Sequence, residues 1–314
     1  MDAFLANPRG FCAGVERAID IVNRALEIHG APVYVLHEIV HNRRVLDELK
    51  AKGAVFVKSL EEVPRGGHTI FSAHGVGQDV EDQAAKQGLL AIDATCPLVT
   101  KVHTQAISFG HDGRELILIG HLGHPEVEGI LGRASGPVQV ISTAEEAEAV
   151  EVKDSARLAY VTQTTLSVDD TSEVIEILQR RFPDIVGPQL KDICYATQNR
   201  QNAVRDLLKK VQALIVVGSA NSSNSNRLKE MGDRSGYPSY LVDDPSQLRA
   251  DWFNGLQRVG ITAGASAPES LVAEIVARLR ELGVSQVEEL EGEIENTVFK
   301  MPAALTKSGP NPST

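Results

Sequence analysis

The feature that most limits what this chain can fold into is one supersecondary unit used three times. Cys12, Cys96 and Cys194 are the only three cysteines, and their settings are alike: Gly10-Phe11-Cys12-Ala13-Gly14-Val15, Ala94-Thr95-Cys96-Pro97-Leu98-Val99 and Asp192-Ile193-Cys194-Tyr195-Ala196-Thr197. Each opens an amphipathic stretch. After Cys12 the apolar positions Val15, Ala18, Ile19, Val22 and Leu26 keep helical spacing. Pro97 suits the first turn of a helix, which puts Cys96 at the cap. A β-rich run follows each helix and ends in a polar loop: 33–36 into His41, 116–120 into His124 and Glu126, and 214–218 into Asn221-Ser222-Ser223-Asn224. His41, His124 and Asn224 follow their cysteines by 29, 28 and 30 residues. Shorter strand candidates come next, at 55–57, 138–141 and 240–242. A further run then ends each unit in a second polar loop, holding His74, Thr164 and Ser266 in turn.

Short apolar runs alternating with helical stretches predict an α/β fold of parallel sheets flanked by helices. Ligands of such sheets bind beyond the carboxyl ends of the strands. The cysteines, histidines and Ser/Thr/Asn clusters all fall there, so one shared cavity is expected, with three similar lobes around a pseudo-threefold axis. The expected divisions are 1–95 (Cys12, His41, His74), 96–193 (Cys96, His124, Glu126, Thr164) and 194–283 (Cys194, Ser222, Asn224, Ser266). Residues 284–301 are expected to pack back on the core, and 302–314, poor in apolar residues, to form a disordered tail.

A net charge of −11 speaks against wrapping nucleic acid or docking on anionic lipid. No window approaches the ~18 consecutive apolar residues of a membrane span. The first residues, Met1-Asp2-Ala3-Phe4-Leu5-Ala6-Asn7, lack the basic and apolar regions of a secretory signal. A sparse, odd cysteine count points away from disulfides and toward the reducing cytoplasm.

A lone cysteine is ordinarily a small buried hydrophobe. Three at equivalent positions, each at a helix start that favours thiolate, point instead to a metal–thiolate centre. Three thiolates suit zinc with a water, or an iron–sulfur cluster with one iron not held by protein; wide spacing favours the cluster. Of nine histidines, His68, His103 and His111 read as surface or core residues. His41, His74 and His124 lie in repeat-equivalent loops beside Thr164, Ser222, Ser223, Asn224 and Ser266, a donor set that fits an oxyanion rather than a metal. The Asn221–Asn226 run reads equally as a phosphate cradle or a capped turn. Glu126 has an ordinary use in compensating a helix dipole, as does its neighbour Glu128. If the cavity forms, Glu126 adjoins a loop histidine and is the natural proton donor. Rossmann, P-loop, kinase and nucleophile-elbow signatures are missing.

The segments 6–15 (ANPRGFCAGV), 72–76 (SAHGV), 93–99 (DATCPLV), 123–129 (GHPEVEG), 162–167 (TQTTLS) and 221–225 (NSSNS) closely resemble the 4-hydroxy-3-methylbut-2-enyl diphosphate reductases, the LytB family of the non-mevalonate isoprenoid pathway. The likeness runs from about residue 3 to about residue 300. It implies a three-lobed fold around one [4Fe-4S] cluster held by Cys12, Cys96 and Cys194, with one iron open to the substrate hydroxyl. It also implies reductive dehydroxylation of the allylic diphosphate to isopentenyl and dimethylallyl diphosphate. His41, His74, His124, Ser222, Asn224 and Ser266, with Ser223 alongside, would hold the diphosphate. Thr164 would position substrate and water, and Glu126 would deliver the proton. Electrons would come from a ferredoxin or flavodoxin with its reductase. An open-cluster hydro-lyase, an iron–sulfur sensor and a zinc-dependent phosphate-ester hydrolase are the rival readings.

Overall fold

The protein, seen in a computed structural model, is described over residues 1–188 and 192–306. Runs such as Glu115–Ile119 and Ala213–Val217 are continuously apolar but for one end residue, as strands covered on both faces require, and every residue of each is buried. In chain order the first region holds β1 (Asp2–Leu5), α1 (Ala13–His29), β2 (Val33–Leu36), α2 (Arg43–Ala51), β3 (Ala54–Val57), β4 (His68–Phe71), α3 (Gln78–Gln87) and β5 (Leu90–Asp93). The second holds α4 (Pro97–His111), β6 (Glu115–Ile119), α5 (Pro125–Leu131), β7 (Val138–Ile141), α6 (Ala144–Ala149), β8 (Leu158–Thr162) and α7 (Val168–Arg181). The third holds α8 (Tyr195–Leu208), β9 (Ala213–Val217), α9 (Ser223–Arg234), β10 (Ser239–Val242), β11 (Arg258–Ala263), α10 (Glu269–Glu281), β12 (Gln286–Glu289) and α11 (Ala303–Thr306).

The strands form three wholly parallel sheets, ordered β3-β2-β4-β5, β7-β6-β8 and β10-β9-β11-β1-β12. In each, the chain leaves one strand toward one edge and its neighbour toward the other: β2 and β4, β6 and β8, β9 and β11. That reversal opens a crevice at the carboxyl ends of the pair. The polar loops singled out in the sequence are the loops leaving these six strands, so three equivalent crevices face one another. Among the described residues no helix is long and apolar enough to cross a membrane.

The lobe boundaries expected from the cysteine spacing cut across one sheet. Within the expected span 1–95, β1 pairs instead with β11 and β12 of the third sheet. The reason is that each cysteine follows the strand that completes the preceding sheet. Cys96 follows β5, and Cys194 follows a segment whose Val186 bridges to Ala159 of β8. Cys12 likewise follows β1, which sits between β11 and β12 in the third sheet.

Two contacts tie the segment after α10 to the rest of the chain. β12 extends the third sheet, and Glu295 pairs with the fully buried Arg200 at 3.0 Å. Arg200 also donates to the carbonyls of Gly10, Phe11 and Ala196, tying the loop before Cys12 to the helix after Cys194. Part of the segment expected to be disordered is ordered: α11 buries Leu305 against the core around α1, with Met301 beside it. One leucine suffices to pin a turn that composition alone leaves without a partner. Residues 307–314 lie outside the described residues.

Candidate active site

Each cysteine is a helix N-cap: Cys12 for α1, Cys96 for α4 and Cys194 for α8. The Thr197 N–H donates to the Cys194 sulfur at 3.3 Å, and the Thr197 hydroxyl lies 3.1 Å from it. Burial pushes the Cys96 thiol up to about 12 and the Cys194 thiol up to about 11, with the Cys12 charge the next cause in both. These two buried thiols therefore keep their protons unless a cation lies beside them, which reverses the balance. A Cβ on Gly14 would stand 2.7 Å from the Cys96 sulfur and 3.9 Å from the Cys12 sulfur, so glycine alone leaves these two sulfurs their space. All three cysteines line one cavity, yet among the described residues no three Cys, His, Asp or Glu side chains converge as a single ion requires. The cradle fits a multi-iron body better than one zinc ion.

The same cavity is walled by three histidines. His41 and His74 stack at 4.3 Å between ring centroids, and His124 stands edge-on to both at 5.5 and 5.7 Å. Burial holds His74 well below the usual imidazole range and His124 down at about 4, with His41 the next cause in each. Both rings are neutral at physiological pH. His124 caps α5, its Nδ1 accepting the Glu126 N–H at 3.1 Å, so its proton sits on Nε2. From the third lobe, Ser222 caps α9, Ser223 accepts from Thr165 at 3.1 Å, and Ser266 donates to the His41 carbonyl at 2.9 Å. His41 Nε2 and both amide atoms of Asn224 are buried without partners. Each such orphan costs about 1–3 kcal/mol, so the cavity is built to be completed by a polar ligand.

Glu126 is 2% exposed and lies in the first turn of α5. The Thr164 N–H donates to Oε1 at 2.6 Å, and the Thr164 hydroxyl donates to Oε2 at 3.0 Å. Burial nevertheless pushes the carboxyl up to about 7, the two Thr164 bonds opposing it. It can hold a proton near neutrality and release it into the cavity.

All twelve residues singled out in the sequence line this one cavity: the three cysteines, His41, His74, His124, Glu126, Thr164, Ser222, Ser223, Asn224 and Ser266. His103, read as a core or surface residue, is buried against Gly75 and Gly129 and stays out of the cavity. Sequence reasoning missed Thr165, Thr197 and the apolar wall of Val15, Val40 and Val99. Thr197 carried a signal, since it sits three residues past a cap; the valines read only as core. Glu38, whose Oε2 lies 2.8 Å from His41 Nδ1, was also missed. Its loop has no periodicity to mark it.

A family model described as "LytB protein" matches residues 3–280. The chain belongs to the LytB family. This LytB chain is 58% identical over 308 residues to a Burkholderia pseudomallei protein named 4-hydroxy-3-methylbut-2-enyl diphosphate reductase, covering 98% of both. It is 54% identical over 309 residues to the Pseudomonas aeruginosa protein of that name, covering 97% of this chain and 98% of that one. Among solved structures, a reductase from Plasmodium falciparum, described as acting on E-1-hydroxy-2-methyl-but-2-enyl 4-diphosphate, superposes with a TM-score of 0.90 at 34% identity, covering 97% of this chain and 96% of that one. The LytB match spans all three sheets except β12 and ends at the close of α10.

Proposed function

We propose that this chain reduces 4-hydroxy-3-methylbut-2-enyl diphosphate to isopentenyl and dimethylallyl diphosphate, the substrate named for its LytB relatives. The observation that carries the reading is a single cavity lined by three cysteines, by buried donors lacking partners, and by a carboxyl poised near neutrality. In the overall reaction two electrons and two protons turn the allylic C–OH into C–H and release water. Cys12, Cys96 and Cys194 would hold one [4Fe-4S] cluster with one iron free of protein ligands. When bound, such a cluster supplies the electrons and a Lewis-acidic iron beside the C–O bond.

The chain's own residues do the rest. His124 offers Nε2–H, and His41, His74, Ser222, Ser223, Asn224 and Ser266 surround the diphosphate with hydrogen-bond donors. Thr164 fixes the Glu126 carboxyl, which delivers a proton to the departing oxygen or the allyl carbon. Val15, Val40 and Val99 face the cavity with apolar surface, which suits a C5 chain and keeps water out. A ferredoxin- or flavodoxin-type donor would supply electrons, in the cytoplasm where thiols stay reduced.

Anaerobic reconstitution, iron and sulfide analysis, and turnover of the hydroxylated diphosphate with a chemical reductant test the reading. A brown, oxygen-sensitive protein that forms both products only when reduced is expected. An active protein carrying stoichiometric zinc, or product without any electron source, overturns it.

A further inference from the structure

A diphosphate is acceptor-only and multiply charged, yet among the described residues no Lys or Arg lines the cavity, and the whole chain carries −11. Among the described residues, the histidines are the only lining side chains able to carry positive charge. His74 and His124 are held neutral by burial. His41 differs from both, because a carboxylate stands behind it.

We propose that Glu38, clamped by Asn221 across the lobe boundary, is a positioning residue that keeps His41 as an imidazolium, a cationic donor to the substrate's diphosphate. The inference rests on the reductase reading given above. Glu38 Oε2 lies 2.8 Å from His41 Nδ1, and Asn221 Nδ2 donates to that same oxygen at 2.8 Å. An ionised carboxylate only accepts, so Nδ1 carries a proton. Nε2, buried without a partner and lining the cavity, can then donate only if the ring is protonated twice. Hydrogen bonding to His41, more than any other cause, holds Glu38 below the usual carboxylate range, and Asn221 adds to it against burial.

Several titratable groups among the described residues act on this pair or its ring neighbours. His74 and His124 flank the ring on the cavity side, Lys50 of α2 acts on Glu38 from behind, and His37 lies in the same loop. None of these is a second carboxylate. Asn221 follows β9 and Glu38 follows β2, so the clamp also joins the third sheet to the first. Ser266, which follows β11, holds the His41 carbonyl at 2.9 Å from the same side. His41 is thus fixed everywhere except toward the cavity.

The test is steady-state turnover of 4-hydroxy-3-methylbut-2-enyl diphosphate by cluster-loaded wild type, Glu38→Gln and Asn221→Ala from about pH 6 to about pH 9. Calorimetric titration of the same holoproteins with inorganic diphosphate runs beside it. Glu38→Gln keeps an acceptor for Nδ1 but removes the charge, so KM is expected to rise about tenfold near pH 8 with kcat nearly unchanged. The deficit should shrink as the pH falls toward 6. Asn221→Ala should move KM the same way by less. A KM raised by one factor at every pH, or left unchanged, overturns the inference. Wild type that binds diphosphate with this pH dependence but forms no product leaves the clamp standing and removes the reductase reading. Wild type that does not bind diphosphate removes both.

Discussion

Thr164 grips both oxygens of the Glu126 carboxyl, its backbone N–H reaching Oε1 at 2.6 Å and its hydroxyl reaching Oε2 at 3.0 Å. One residue on the loop after β8 thereby fixes a carboxyl that α5 supplies after β6. The two crevice-forming strands of the second sheet meet at that carboxyl.

Turnover should follow the protonation of Glu126. The group donates only as the acid, and burial has pushed it up to about 7. The rate of a proton-limited step therefore falls as pH rises through about 7. Glu126→Gln should keep iron, sulfide and substrate binding but lose about 10²–10⁴-fold in kcat, and with it the alkaline fall in the pH–kcat profile.

The same shift has a stability sign. A carboxyl raised in the folded state stabilises the fold below its unfolded value, and that contribution is lost as pH rises through about 7, at most about 3 kcal/mol. In urea titrations of cluster-free protein, the midpoint should fall between pH 5 and pH 8 more for wild type than for Glu126→Gln.

Thr164→Val deletes one of the two bonds and leaves Oε2 buried beside a methyl group. A loss of about 10–100-fold in kcat is expected, with Thr164→Ser near wild type, since a lost bond to a charged or poised group is worth about 1.5–3 kcal/mol. Single-turnover kinetics would separate this effect from weaker substrate binding.

Gly14→Ala places a methyl group where the Cys96 sulfur stands, 2.7 Å from it. The helix should tolerate alanine, so circular dichroism is expected to stay unchanged while iron content falls as far as in Cys96→Ser. Full iron retention in Gly14→Ala would show that the cysteine cradle has slack that the geometry does not provide.

Arg200→Ala removes a buried guanidinium and strands Glu295 together with the carbonyls of Gly10 and Phe11. A cost of about 3–5 kcal/mol is expected. The urea midpoint measures it, and truncation after residue 290 should weaken the protein in the same direction.

The site was legible in the sequence because its residues cap helices at strand ends, where residue type and spacing are both constrained. Cys96 before Pro97, and Ser222 three residues before Ser225, announce their positions. Glu38 did not, because a side chain acting through a neighbour needs only proximity, and proximity to Asn221 is made by folding rather than by spacing. The fold was legible as three α/β units for the same reason. The placement of β1 was not, since a strand's partner depends on which edge remains open, and Asp2–Leu5 carries no mark of pairing with Arg258–Ile261. Leu305 likewise gave no sign that it fills a gap beside α1.

The pairing of β1 with β11 also sets an order of events during synthesis. Asp2–Leu5 leaves the ribosome well before its neighbour, which begins at Arg258 and at typical elongation rates arrives roughly 10 to 50 s later. Through that interval the nascent chain can build its first and second sheets, while the segment bearing Cys12 has no strand to lie against. The three thiols can reach their final spacing only after β11 has been made. Any group held by all three must therefore wait for a strand that lies about 250 residues downstream of the first thiol's own.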